Sequence, residues 1–136
     1  IQNMATLTPT LTLVSTDAFS HQPINISTTD SLSVTAPYTD LSRIAPVVTG
    51  GSGTIITAAS NSPITYFYIK HSGKVAANNN DASISETLIV QDAGGALIAT
   101  LAPGEFMFFP SAAGEGVRLE STSTVIFAEY IYFSKA

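Results

Sequence analysis

Residues 125–133 read Val-Ile-Phe-Ala-Glu-Tyr-Ile-Tyr-Phe, and this run decides the fold class. Bulky apolar side chains fill most of its positions, and it contains neither proline nor glycine. Successive side chains of a β-strand point to opposite faces of the sheet. A strand of this composition therefore carries large groups on both faces, which is more apolar surface than one sandwich core needs.

Two other segments share this two-faced aromatic character, residues 66–68 and residues 106–109. One interpretation is that both faces are buried within the monomer. A second is that the extra face forms an oligomer interface, where aromatic residues are enriched. A sugar-binding aromatic platform is a third interpretation, although the chain has no Trp. We favour the oligomer, and the interface residues that we predict are Tyr66, Tyr68, Tyr130 and Tyr132.

Apolar and polar residues alternate along much of the remaining chain, which is typical of half-buried strands. Leu7, Leu11 and Leu13 alternate with threonines, and Pro9 places this strand at a sheet edge or makes it begin after the proline. Turn residues rich in Gly, Pro, Asp and Asn separate the later runs. The further predicted strands are 24–27, 31–35, 42–48, 54–58, 64–70, 84–91, 97–101, 105–109, 117–120 and 124–133.

This pattern predicts an all-β protein, an antiparallel β-sandwich of the jelly-roll kind with about ten short strands. Val, Ile and Thr make up 38 of the 136 residues, a β-branched excess that favours strands. No window has apolar residues at helical spacing over three turns, so we expect no substantial helix. We expect residues 4–136 to form a single β domain, and residues 1–3, which precede Met4, to be a leader remnant or non-native.

Charge and composition exclude several classes of function. The net charge is −5 and no basic cluster occurs, so a nucleic-acid partner is not expected. No stretch approaches 18 apolar residues, so we expect no membrane partner. The chain has no cysteine, which excludes disulfides and thiolate metal sites.

The residues that could carry chemistry are few. His21 and His71 each lie beside turn residues, and we interpret both as solvated loop histidines rather than metal ligands. No Gly-x-Ser-x-Gly elbow and no calcium-loop pattern of carboxylates occurs. We therefore predict a protein that is not an enzyme, with no catalytic residue, no cofactor and no metal.

Glu129 interrupts the apolar positions of the last strand. If the odd-numbered positions 125–133 form the core face, a carboxylate there is costly unless it is paired or hydrogen-bonded. Three hypotheses follow: an acid–base or ligand residue with a raised pKa, a buried ion pair with Lys70 or Arg118, or burial in a subunit contact. The pair of Glu129 with Lys70 is the one that we predict.

Five strings of the sequence resemble the small virion structural proteins of marine tailed phages, including cyanophages. The likeness covers most of the chain, although its motifs are patterns of strands and turns. The strings are Met4-Ala-Thr-Leu-Thr-Pro-Thr-Leu-Thr-Leu, Asp30-Ser-Leu-Ser-Val-Thr, Tyr66-Phe-Tyr-Ile-Lys-His-Ser-Gly, Leu101-Ala-Pro-Gly-Glu-Phe-Met-Phe-Phe-Pro and Ala128-Glu-Tyr-Ile-Tyr-Phe.

The resemblance implies a component of the virion, a capsid decoration or tail-associated protein present in many copies and without catalysis. It transfers no catalytic or ligand residue to any position here. The expected partners are further copies of the chain, with a trimer favoured, and other virion proteins. The alternative is a β-sandwich module that binds carbohydrate on a host surface through residues 50–53 and the polar segment 72–83, which we predict to be a flexible loop.

Overall fold

Strands account for all of the regular structure, with twelve strands and no helix among the residues described. The computed structural model describes residues 4–38, 40–48, 53–57, 65–112 and 115–136, with the backbone alone for 36–38, 55, 57 and 65. The predicted antiparallel all-β fold is confirmed. The strands are β1 Met4–Leu7, β2 Thr10–Ser15, β3 Ile24–Thr29, β4 Leu32–Tyr38, β5 Ser42–Ile44, β6 Thr54–Thr57, β7 Thr65–Val75, β8 Leu88–Asp92, β9 Leu97–Leu101, β10 Phe106–Pro110, β11 Val117–Ser121 and β12 Ile126–Lys135.

The chain divides into two compact units, residues 1–36 with 135–136 and residues 37–134. In the first unit β1 pairs with β4, and β2 pairs with β3 as a separate ribbon. Pro9 ends the predicted first strand, and the amide of Asp30 donates to its carbonyl oxygen over 3.1 Å. The carboxylate of Asp30 accepts from the amide of the next residue, Ser31, at 2.7 Å in the connection between β3 and β4. That residues 4–136 form one domain stays a prediction, and residues 1–3 lie outside the described part.

The second unit contains two antiparallel sheets. One has the order β5-β12-β7-β10, and the other has the order β6-β11-β8-β9. The pairs are nested, β8 with β9, β7 with β10, β6 with β11 and β5 with β12. One long hairpin with its tip between β8 and β9 gives this order when it is rolled so that successive pairs enter alternate sheets.

The hydrophobic core of the second unit lies between these sheets. Alternate residues of each strand point inward, as the period of two requires. Full burial of one such side chain contributes roughly 1.5–3 kcal/mol. The buried cluster consists of Phe67, Ile69, Leu88, Val90, Leu101, Val117, Leu119, Ile126 and Ala128.

Residues 72–83 differ from the predicted flexible loop. Strand β7 continues to Val75, past its predicted end at residue 70. The amide of Ala82 donates to the carbonyl oxygen of Gly73 over 2.8 Å, and Lys74 Nζ lies 2.6 Å from Asp81 Oδ1. Hydrogen bonding and charge from Lys74 lower the pKa of Asp81. Backbone hydrogen bonds and an ion pair within residues 72–83 therefore hold a segment whose polar composition predicts a flexible loop.

Candidate functional site

The register between β7 and β12 decides which aromatic side chains share a face of the sheet. Directly opposite residues of an antiparallel pair lie on the same face. Even-numbered residues of β7 consequently share a face with odd-numbered residues of β12. The opposite pairs are Tyr66 with Phe133, Phe67 with Tyr132, Tyr68 with Ile131, Ile69 with Tyr130 and Lys70 with Glu129.

The four tyrosines predicted as one interface therefore lie on two different faces. Tyr130 and Tyr132 pack against the core cluster, and their rings stack with centroids 6.4 Å apart. Tyr66 and Tyr68 lie on the opposite face of the same sheet. Even-numbered residues share a face within each strand, but the sequence does not fix which faces of two neighbouring strands coincide. Whether Tyr66 and Tyr68 belong to an oligomer interface stays a prediction.

The surface that turns away from the core is called the outer face here. It crosses the four strands that the second unit contributes to the sheet of β7 and β12, and most of its members are aromatic or apolar. Its residues are Arg43, Tyr66, Tyr68, Lys70, Phe106, Phe108, Phe127, Glu129, Ile131 and Phe133.

Phenylalanines of β10 form the most exposed aromatic part of the outer face. Phe106 is 62% exposed and Phe108 is 39% exposed, although both are large apolar side chains on a regular strand. Phe108 stacks on Tyr66 with a centroid distance of 6.1 Å, and Phe106 lies 6.4 Å from Tyr68 in a tilted arrangement. These ring contacts hold the aromatic row in place while leaving much of its surface open to solvent.

Glu129 lies on the outer face, so the assumption that the odd positions of β12 form the core is wrong. The core face of this strand carries Ile126 and Ala128. The Glu129 side chain is 29% exposed, and its Oε1 lies 3.6 Å from Arg43 Nη2. Arg43 on β5 lies directly opposite Glu129 on one side, and the predicted partner Lys70 on β7 lies directly opposite it on the other. The ion pair of Glu129 with Lys70 stays a prediction.

Arg43 and Arg118 lie in different sheets and have different partners. The Arg43 guanidinium lies 4.7 Å from the ring centroid of Phe127, a cation–π contact on the outer face. Arg118 lies on β11 in the other sheet, with its Nη2 3.7 Å from Glu120 Oε1. On the outer face, Glu129 lies between Arg43 and Lys70, so the charges alternate in sign across the three strands.

His71 is buried, which corrects its interpretation as a solvated loop residue, whereas His21 is exposed as predicted. His71 Nδ1 accepts from the amide of Gly73 over 2.9 Å, so this nitrogen carries no proton. His71 Nε2 then donates to the carbonyl oxygen of Glu86 at 2.6 Å. The neutral ring links β7 to the segment before β8, and both ring nitrogens are engaged by the backbone.

A cleft of about 500 Å³ lies in the first unit, between the ends of β2 and β3. It is lined by residues 19, 21, 22, 23, 24, 25 and 26, all from one short segment. The cleft therefore gathers no side chains from separate strands. The outer face does, and for this reason it is the candidate functional surface.

The described residues contain no group of three or more His, Cys, Asp or Glu side chains placed to hold a metal ion. Within the same residues, no helix has the length and apolar character needed to cross a membrane. The chain matches no protein-family model, no curated protein and no solved structure in the comparisons made with them.

We predict that His71→Leu destabilises the protein by about 2–5 kcal/mol, because two part-buried backbone groups, the amide of Gly73 and the carbonyl of Glu86, lose their hydrogen-bond partner. His21→Leu is the matched control, and it should change the unfolding free energy by less than about 0.5 kcal/mol. Urea denaturation of both variants measures the difference. Equal stability of the two variants would contradict the structural role of His71.

We predict that Glu86 stabilises the fold in a pH-dependent way. The amide of Ser83 donates to its Oε2 at 2.6 Å, and this bond, with that from the Thr124 side chain, lowers the pKa of the carboxyl. A carboxyl whose pKa is lower in the folded state stabilises the fold fully at pH values above the ordinary Glu pKa. This contribution is lost as the pH falls through the folded-state pKa. Glu86→Gln should flatten the stability profile between pH 5 and 3. An NMR titration placing the Glu86 pKa at or above its ordinary value would contradict this.

Proposed function

We propose that this protein is a non-catalytic structural subunit of a phage virion that assembles with copies of itself. The observation that carries the proposal is the outer face, where Phe106 and Phe108 expose aromatic surface on an otherwise regular sheet. Exposed apolar patches of this kind mark interaction surfaces. A subunit present in many copies would cover the patch with a neighbouring subunit.

The energy available from the two phenylalanines indicates how large the contact must be. Full burial of one Phe contributes roughly 1.5–3 kcal/mol, so covering their exposed fractions contributes about 2 kcal/mol. A micromolar dissociation constant corresponds to about 8 kcal/mol. The other outer-face residues that are partly exposed therefore have to take part, whereas Tyr66 is already buried. This fits a broad contact over the face better than a contact at the β10 edge alone.

The order of strands in the second unit supports the same proposal. Two antiparallel sheets whose strands pair as a rolled hairpin form a jelly roll, an architecture used by viral capsid and lectin domains. The resemblance of the sequence to virion structural proteins favours the capsid or tail use. Residues 50–52 of the first loop predicted for the lectin alternative lie outside the described residues. The lectin alternative has weaker support at its second loop, 72–83, because backbone hydrogen bonds within that segment hold it in place.

Self-assembly predicts an oligomer in size-exclusion chromatography with light scattering, with a trimer as the expected mass. Phe106→Ser combined with Phe108→Ser should raise the dissociation constant at least tenfold. The control combines Ile84→Ser with Leu97→Ser, which removes two exposed apolar side chains outside the outer face and should leave the mass unchanged. A monomer at high micromolar concentration of the unmodified protein would overturn the proposal.

Membership of a virion predicts that the protein copurifies with assembled particles. Quantitative mass spectrometry of density-purified particles should find it at the copy number of a structural component, tens per particle or more. The same measurement on the soluble fraction of the lysate provides the control. Confinement of the protein to the soluble fraction would remove the virion part of the proposal and leave self-assembly to be judged by light scattering.

A further inference from the structure

Strands β2 and β3 form a ribbon with one apolar face. Their register places Leu13 opposite Ile26 and Leu11 opposite Thr28, so these side chains share a face. Leu11, Leu13 and Ile26 are 50%, 48% and 49% exposed. The other face is mostly polar, and the hydroxyls of Thr10 and Thr29 hydrogen-bond across it at 3.0 Å. The apolar face of the ribbon is defined here by Leu11, Leu13 and Ile26.

The ribbon needs a cover for this face. In the part of the chain that the structure describes, β2 and β3 pair only with each other. A two-stranded hairpin alone is marginally stable in water, and packing of a hydrophobic face is what stabilises it. Because these three aliphatic side chains are only half buried, further burial of their exposed surface would stabilise the ribbon.

We propose that the apolar face of the ribbon packs on the outer face of a second copy of the chain. This inference rests on the proposed self-assembly and names the two surfaces that meet. Leu11 and Leu13 are two residues apart on one strand, as are Phe106 and Phe108 on another. Both rows therefore repeat at about 6.7 Å, and their side chains can interdigitate at the roughly 10 Å spacing of packed sheets.

Charge selects this pairing over the pairing of like surfaces. Residues 1–42 contain no Lys or Arg, and Asp17 and Asp30 flank the two ends of the ribbon. The outer face carries Arg43 and Lys70 against the single carboxylate of Glu129. Two ribbons brought together would oppose acidic ends, and two outer faces would oppose a net positive charge. Ribbon on outer face brings opposite signs together.

Each copy then contributes two different surfaces to the assembly. Such a heterologous contact forms a closed ring when the rotation between copies closes, and an open filament when it does not. A ring of three copies satisfies both surfaces of every subunit. This is the arrangement that joins the ribbon contact to the trimer expected for the proposed function.

The absence of cysteine from the chain makes disulfide trapping a direct test. Leu13→Cys is prepared with one affinity tag and Phe106→Cys with another, and the two full-length proteins are mixed, re-equilibrated and mildly oxidised. Only a contact between copies can link the two tags. We expect a doubly tagged disulfide dimer as the main product. Thr12→Cys, on the opposite face of β2, is the control and should give at least tenfold less of it with Phe106→Cys.

Other products of the same oxidation would overturn the inference. If most disulfides join two Leu13→Cys chains, the ribbon of one copy pairs with the ribbon of another. If most disulfides join two Phe106→Cys chains, the outer faces of two copies pair with each other. An oligomer by light scattering with no doubly tagged product refutes the ribbon contact and leaves self-assembly standing. A monomeric unmodified protein refutes both.

A charge substitution checks the contact without cysteine. Leu13→Asp should raise the dissociation constant of the oligomer at least tenfold, while Thr12→Asp, with the same charge one residue away, should change it less than twofold. Circular dichroism confirms that both variants keep their strand content. Equal effects of the two substitutions would overturn the inference.

Discussion

The register of β7 against β12 is the constraint on which the rest of the second unit depends. Because the side-chain period of a strand is two, a shift by one residue would exchange the two faces of the sheet. In the observed register Phe67 and Ile69 enter the core together with Ile126 and Ala128. The neighbouring strands β5 and β10 inherit the same division, since each pairs with one of these two.

The two faces of this sheet differ in how far they are buried. The inner face packs against the second sheet and builds a closed cluster whose members are almost fully buried. The outer face has comparable side chains but no such cover over β10, where the exposed phenylalanines lie. Strands that are bulky on both sides thus supply one face to the core of the second unit, and the other face is the surface that we propose for association.

Local chemistry explains what the sequence could predict. The strand type, the antiparallel arrangement and the turn at Pro103-Gly104 follow from alternation and from residue conformation. Gly104 has a φ of +85°, and the amide of Glu105 donates to the carbonyl oxygen of Ala102 over 2.9 Å, as a type II turn with proline and glycine at its centre requires. These features depend on residues close together in the chain, so a single sequence contains the necessary information.

Long-range pairing explains what the sequence could not predict. The division of the four tyrosines depends on register between strands more than 50 residues apart in the chain. The partner of Glu129 depends on β5, a strand of three residues that has no strong pattern of its own. The residues Ser72-Gly73 after His71 indicate a turn, yet Gly73 accommodates a φ of +82° within a continuing strand.

The most direct test is the register itself, measured by NMR on isotopically labelled protein. Nuclear Overhauser contacts between backbone protons of β7 and β12 report which residues lie opposite each other. We expect cross-strand contacts that join Tyr68 to Ile131 and Lys70 to Glu129. Contacts that instead place Tyr68 opposite Tyr130 or Tyr132 would exchange the two faces and contradict the account.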